Sequence, residues 1–213
     1  MALRILGKKL GMTQIFVEEG VLLPVTIIEA GPNYIIQKKT IEIDGYCALQ
    51  LGLESKRAKN TSKPMQGHFE KAGFNPLRHV GECRINADEL DNYNVGDELG
   101  ADVFAEGDFV DVIGKSKGRG FTGVIKRHGM HGTLTLTHGA HEVMRHAGSI
   151  GQSATPARVF KGKRMAGRFG GTRHTIQNLR VVGVRPEENL LIVKGAIPGP
   201  NGGLVMIQKA HKK

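Results

Sequence analysis

Apolar and β-branched residues fall in short runs along most of this chain, without the 3.6-residue period of a long helix. Residues 21–30 (VLLPVTIIEA), 34–40 and 46–53 predict three strands, separated by Gly31-Pro32-Asn33 and Asp44-Gly45. Both separators are turn chemistry, because proline fixes φ and glycine accepts a positive φ. Pro24 inside the first run predicts a strand that lies at a sheet edge or carries a bulge. Residues 109–113 predict another strand, and 179–184, 189–194 and 204–209 a closing meander. Its connectors, Arg185-Pro186-Glu187-Glu188 and the Pro/Gly-rich stretch 197–203, are turn and loop signals. Closely spaced short strands of this kind imply a mainly β fold, a small antiparallel barrel.

Two stretches break the strand rhythm. Residues 55–75 are polar and cationic at their start, with a short helix predicted over 66–72. Residues 87–93 (ADELDNY) predict a short acidic helix, with Asn86 as N-cap and Glu89 at capping-box spacing. The barrel is therefore expected to carry a short α-containing insertion over 55–93. The second break is larger. From 127 to 177 the sequence holds neither a 3.6- nor a 2.0-residue period. An unpatterned stretch of that length inside a compact domain implies function, or disorder without a partner. The expected organisation is a β-barrel body formed by 1–126 and 175–213, with a long extended basic loop at 127–174.

Charge turns this loop into a binding candidate. The 213 residues suffice for a sizeable core, yet apolar residues make up 39% and aromatics 5%, there is no Trp, and glycine reaches 30 residues. That balance suits a modest core with much irregular backbone. The net charge is +10. Between 114 and 174 stand twelve cations: Lys115, Lys117, Arg119, Lys126, Arg127, Arg145, Arg158, Lys161, Lys163, Arg164, Arg168 and Arg173. Glu142 is the single acid there, so this window is +11, and the remaining 18 basic and 19 acidic residues give −1. A nearly neutral body with a strongly cationic insert points to a polyanionic partner. The insert cannot offset its ordering entropy with an apolar core, and a polyanion could supply what the core does not.

Individual motifs narrow the chemistry. Gly118-Arg119-Gly120-Phe121-Thr122-Gly123 has GxGxxG spacing, but Val124–Arg127 is β-branched and basic where a dinucleotide fold needs a helix. These glycines fit better the close approach of backbone to a phosphate chain, with Lys115, Lys117 and Arg119 beside it. The pairs His128/His131 and His138/His141, with His146, could clasp a metal, but only Glu142 stands near as a further ligand. Imidazoles also stack on bases and donate to phosphates, and His128 is counted with the RNA-facing cations on that ground. Residues 159–171 alternate cations, glycines and single apolar side chains; Phe160 and Phe169 either stack on bases or anchor the stem of the loop.

Other classes find less support. Ser149, Ser153 and Thr155 lie near His146 without a nucleophile elbow or paired acids, so an enzyme is not expected. No acid cluster would hold Mg²⁺, and no cofactor, metal or small-molecule substrate is implied. Cys47 and Cys83 have no metal-ligand spacing, and reduced cytosolic thiols are the expectation. Arg4, Lys8 and Lys9 interrupt the opening stretch, so it lacks a signal-peptide apolar region, and no run nears the roughly 18–20 apolar residues of a membrane span. The rivals are an RNA-modifying or metal-dependent hydrolase built on the loop histidines, and a non-ribosomal RNA chaperone.

Several motifs together resemble a known family. The stretch LGKKLGMTQIF at 6–16 followed by PVTIIE at 24–29 is similar to the opening of the bacterial form of the universal large-subunit ribosomal protein L-three. So are SKGRGFTGVIKR at 116–127, GSIGQ at 148–152 with Thr155-Pro156, VFKGKRMAG at 159–167, and NLLIVKGAIPG at 189–199. The resemblance covers essentially the whole chain. It implies a translation-protein-type β-barrel and a long loop that threads into 23S-type ribosomal RNA with its tip towards the peptidyl transferase centre. It also implies a role in early subunit assembly, neighbouring ribosomal proteins as partners, and a place on the cytoplasmic ribosome. In some bacteria the glutamine of the GSIGQ motif is N5-methylated; the matching residue is Gln152, with a glutamine methyltransferase as the implied partner. The sequence departs from the family at Ala147, where relatives usually carry proline, and is richer in histidine over 128–146.

Overall fold

A computed structural model of the chain describes residues 3–16, 20–134 and 138–212. Residues 135–137, inside the expected loop, lie outside the described residues, as do the chain's first two, residues 17–19 and 213. The chain divides into two compact units: Met1–Lys115 with Arg173–Lys213, and Ser116–Thr172.

The first unit is built from two antiparallel sheets. Its strands in chain order are β1 (Arg4–Phe16), β2 (Leu22–Glu29), β3 (Asn33–Lys39), β4 (Ala48–Ser55), β5 (Leu77–Arg84) and β6 (Glu98–Leu99). They are followed by β7 (Phe109–Lys115) and, after the second unit with its short β8 (Phe121–Thr122) and β9 (Gly167–Arg168), by β10 (Arg173–Arg185), β11 (Leu190–Lys194) and β12 (Leu204–Lys209). Six of them close a barrel in the order β1-β12-β7-β10-β11-β2, and every neighbouring pair is antiparallel. Side chains that alternate inward, such as Ile5, Ile28, Val110, Val112, Leu191, Val193, Val205 and Ile207, fill it and are buried.

The expected mainly β architecture is present, with one difference in how the strands are shared out. Strands β3 and β4 belong to a second sheet, ordered β5-β4-β3-β6, and not to the barrel. Period-two patterning reports a half-buried strand but is silent on which sheet receives it. β5 lies within the stretch read as a helical insertion; its Leu77, His79, Gly81 and Cys83 alternate inward with few β-branched residues to mark them. A second core of Leu6, Ile35, Leu49, Leu51, Cys83 and Leu90 packs this sheet on the barrel, with Leu204 and Met206 against it.

The predicted helices are present as short pieces. One spans Lys63–Lys71 and buries Phe69 against Ile36 and Leu77; here Gly52 leaves room, since a Cβ on it would collide with the methyl ends of Leu77 and Ile36. The other, Ala87–Leu90, has Asn86 as N-cap, whose amide donates to the Glu89 carboxylate at 3.3 Å. Pro24 stands one residue past the last β2–β11 pair, Val25↔Lys194, so its missing N–H falls where the pairing with β11 runs out.

Polar groups inside the unit are matched to particular backbone irregularities. β10 starts at Arg173, earlier than its apolar pattern suggests, because Gln177 and Asn178 form a bulge opposite Asp111. Asn178 takes a left-handed φ of 58°, and its N–H donates to the buried Asp111 carboxylate at 2.9 Å. The other carboxylate oxygen accepts from Gln208 at 3.2 Å. Lys9 is buried in β1 and its ammonium donates to the carbonyls of Ile197 and Gly199 at 3.1 and 3.4 Å. Asn33, also fully buried, accepts from the N–H of Leu6 and donates to the Leu6 carbonyl, both at 3.0 Å. Burial holds the Cys83 thiol above its ordinary range, and both cysteines are free.

Candidate nucleic-acid interface

The second unit is inserted between β7 and β10, at positions that already face each other: Lys115 pairs with Arg173 in the antiparallel register. These two cations are therefore cross-strand neighbours at the end of the barrel ladder, and both are exposed.

Within Ser116–Thr172 the chain is held by main-chain bonds and few apolar contacts. Ser116 N–H donates to Thr172 O at 2.9 Å and Gly171 N–H returns to Ser116 O at 3.1 Å. Arg119 N–H donates to Phe169 O and Phe169 N–H to Gly120 O, both at 2.9 Å, which leads into a two-stranded ribbon of β8 (Phe121–Thr122) and β9 (Gly167–Arg168). Gly170 is required here: its φ is 72°, and a Cβ would run into the Lys117 carbonyl. A one-turn helix, Val124–His128, follows Gly123 and ends on Gly129 in the left-handed region. Although β-branched at its start, the run after the extended Gly123 folds into a single turn closed by Arg127 N–H to Gly123 O at 3.0 Å. Even so, a ribbon runs through the GxGxxG stretch, and five helical residues are not the strand–turn–helix of a dinucleotide site.

Among the described residues of this unit only Thr122 and Val124 are buried. The expected RNA-facing residues are distributed over it as follows. Lys117 and Arg119 lead into β8; Arg168 is on β9 opposite Phe121. Lys126, Arg127 and His128 occupy the single helical turn. Two of these are partly committed inside the unit: Arg127 Nη1 donates to Met165 O at 2.7 Å, and His128 Nε2 lies 3.0 Å from the same carbonyl. Arg145 lies near a short turn where Thr133 N–H donates to Met144 O at 3.3 Å. Arg158, Lys161, Lys163 and Arg164 are all exposed along 158–164.

Among the described residues none of the twelve cations makes an ion pair; the pairs that occur join Lys8, Arg78 and His79 to Glu54, Lys39 to Glu82, Arg185 to Glu188 and Lys209 to Asp108. Two guanidinium groups lie instead over aromatic rings, Arg119 over Phe169 at 5.3 Å and Arg158 over Phe160 at 5.5 Å. His131, His138, His141 and His146 are exposed, and among the described residues no three metal-ligating side chains come together. Gln152 is exposed in the turn 149–159, where Ser149 Oγ donates to Gly151 O at 2.8 Å. No role was assigned from the sequence to Phe121, which is 81% exposed; the signal was a single aromatic directly after Arg119-Gly120.

A mainly β chain carrying a core-poor cationic insert has the make-up of a structural ribonucleoprotein component. Residues 86–189 match the family Ribosomal protein L3. The chain is 52% identical over 209 residues to the large ribosomal subunit protein uL3 of Cutibacterium acnes, covering 98% of this chain and 92% of that one. It is 53% identical over 208 residues to the uL3 protein of Pelotomaculum thermopropionicum, covering 98% and 97%, and 50% identical to that of Acidothermus cellulolyticus, covering 98% and 92%. The chain belongs to the ribosomal protein L3 family. Its role is that of a structural component of the large subunit of the cytoplasmic ribosome, and not of an enzyme.

Proposed function

We propose that the chain binds 23S-type ribosomal RNA through its cationic insert, with residues 127–174 as the part that enters the RNA and the 1–126 and 175–213 body as its support. The observation that carries this reading is the combination of twelve cations that have no acid partner among the described residues with a unit that buries only two of its described residues. Phosphates replace the missing counter-charges, and RNA replaces the missing core. The residues proposed to contact RNA are Lys115, Lys117, Arg119, Lys126, Arg127, His128, Arg145, Arg158, Lys161, Lys163, Arg164, Arg168 and Arg173. Family membership supports a tip near the peptidyl transferase centre, a part in early subunit assembly and direct contacts with neighbouring ribosomal proteins.

The test is the salt dependence of binding to large-subunit ribosomal RNA. Each cation that neutralises a phosphate contributes about −0.7 to −0.9 to the slope of log K against log[salt]. Lys163→Gln and Arg164→Gln are each expected to flatten the slope by somewhat under one unit, and together by about twice that. Unchanged slopes in both variants and their combination would remove Lys163 and Arg164 from the interface.

Gln152 is proposed as the substrate of a glutamine N5-methyltransferase. Its exposure in a polar turn gives an enzyme access to the side-chain amide. Protein isolated from its own ribosomes is expected to yield a Gln152 peptide heavier by one methyl group, a shift absent from Gln152→Ala; an unshifted native peptide would dismiss the assignment.

A further inference from the structure

Three aromatic rings stand among the cations of the insert, and they are not equivalent. Phe169 is half-buried with the Arg119 guanidinium over it, and Phe160 has Arg158 over one face. Those rings already have a cationic partner within the chain. Phe121 has none among the described residues and is 81% exposed, against 61% for Phe160.

The backbone fixes what lies beside Phe121. It sits directly opposite Arg168 in the β8–β9 ribbon, and directly opposed residues of an antiparallel pair project to the same face. Arg168 is exposed and makes no ion pair among the described residues. Near Phe121 in the sequence stand Gly118, Gly120 and Gly123, and a Cβ added at any of them would meet nothing within 4 Å. An exposed aromatic ring in a glycine-rich stretch, with an arginine on the same face of the ribbon, suits a flat apolar ligand attached to an anion. An unpaired nucleobase and its phosphate are such a ligand. An aliphatic protein partner would not call for the cation, and an acidic peptide would not call for the ring.

We infer that Phe121 is a stacking platform for an unpaired base of the RNA, with Arg168 neutralising the adjoining phosphate. This rests on the RNA-binding reading above and adds to it a base contact that charge alone does not give. It also divides labour within the insert: the lysines and arginines position the backbone, while Phe121 selects for a base that is out of its helix.

The experiment compares full-length protein with Phe121→Ala, Phe121→Leu, Phe121→Tyr and Arg168→Gln for binding to large-subunit ribosomal RNA across a salt series. Because the ring is exposed, none of these variants should change the unfolding midpoint appreciably. Phe121→Ala and Phe121→Leu are expected to weaken binding roughly 5- to 150-fold at every salt concentration with the slope unchanged, the signature of lost stacking. Phe121→Tyr should bind as the parent does, and Arg168→Gln should flatten the slope. If Phe121→Leu binds RNA as tightly as the parent, stacking is overturned; if that variant also fails to enter large subunits, the ring belongs to a protein neighbour instead. Absence of salt-dependent binding by the parent protein would overturn the RNA reading itself, a result separable from the others.

Discussion

Replacing residues 116–172 by a two-residue Asn-Gly turn between Lys115 and Arg173 is expected to leave the body folded and to abolish tight, salt-sensitive binding to ribosomal RNA. The register makes the excision practicable. Lys115 and Arg173 are directly paired, and a two-residue turn joins such partners in a hairpin with the twist the strands already have. The boundary matters. A deletion extended to 177 would take away Arg173, His174, Thr175 and Ile176, all of which pair with β7, and so would open the barrel between β7 and β10. Among its described residues the removed unit contributes two buried ones, Thr122 and Val124, whereas the barrel and second-sheet cores remain intact. Thermal unfolding of the body should therefore stay within a few degrees of the parent, about the shift that 1 kcal/mol produces. Binding should change far more. Six to ten phosphate contacts would give the parent a salt slope of about −4 to −9, and the excised chain, left with Lys115 and Arg173, a slope no steeper than about −2. A truncated protein that kept the parent's slope would place the interface on the body.

The second large effect concerns Asn33. Leu6 lies on β1, opposite Met206 of β12, but both its main-chain groups turn away from β12, and pairing with β2 begins only at Lys8↔Glu29. The Asn33 carboxamide takes their place, accepting from Leu6 N–H and donating to Leu6 O, with Ala30 O at 3.4 Å as a further acceptor. One side chain thus acts as a missing strand partner and ties β3 to the barrel. Asn33→Ala strips a buried donor and a buried acceptor of their partner, at about 1–3 kcal/mol each, so a loss of about 2–6 kcal/mol in denaturant unfolding is expected. Against a total of roughly 5–15 kcal/mol this is a large share. Asn33→Asp keeps the acceptor but faces two carbonyls with a carboxylate. Burial raises the pKa of that introduced acid in the folded state, so the folded form binds more protons and stability is regained as pH falls. Asn33→Asp should be at least as unstable as Asn33→Ala at neutral pH and recover on acidification. An alanine variant as stable as the parent would show that water satisfies Leu6 equally well.

How much of this was legible in the sequence depended on whether a residue's role was local. Strands β11 and β12 were found because β-branched runs stand between Pro/Gly turns, and the insert because its charge departs so far from that of the body. β1 escaped notice. Gly7, Lys8, Lys9 and Gly11 interrupt any alternation, and Lys9 looks like a surface cation until the carbonyls of Ile197 and Gly199, far along the chain, are brought to it. Asn33 was read as part of a turn, whereas it opens strand β3, and its side chain serves Leu6, 27 residues away. The same holds in the insert. The cations were evident one by one, whereas the commitment of Arg127 to Met165 O, 38 residues on, and the pairing of Phe121 with Arg168 required the fold.

The Lys115–Arg173 pairing has a thermodynamic side as well. Bringing together the ends of a free segment as long as 116–172 costs roughly 3–4 kcal/mol of chain entropy. The folded barrel has met that cost before any RNA arrives, so the insert meets its partner as a closed loop and not as an open chain. Linkage makes the benefit mutual: whatever RNA gains in affinity from a pre-closed loop, the barrel gains in resistance to unfolding once RNA holds the loop shut.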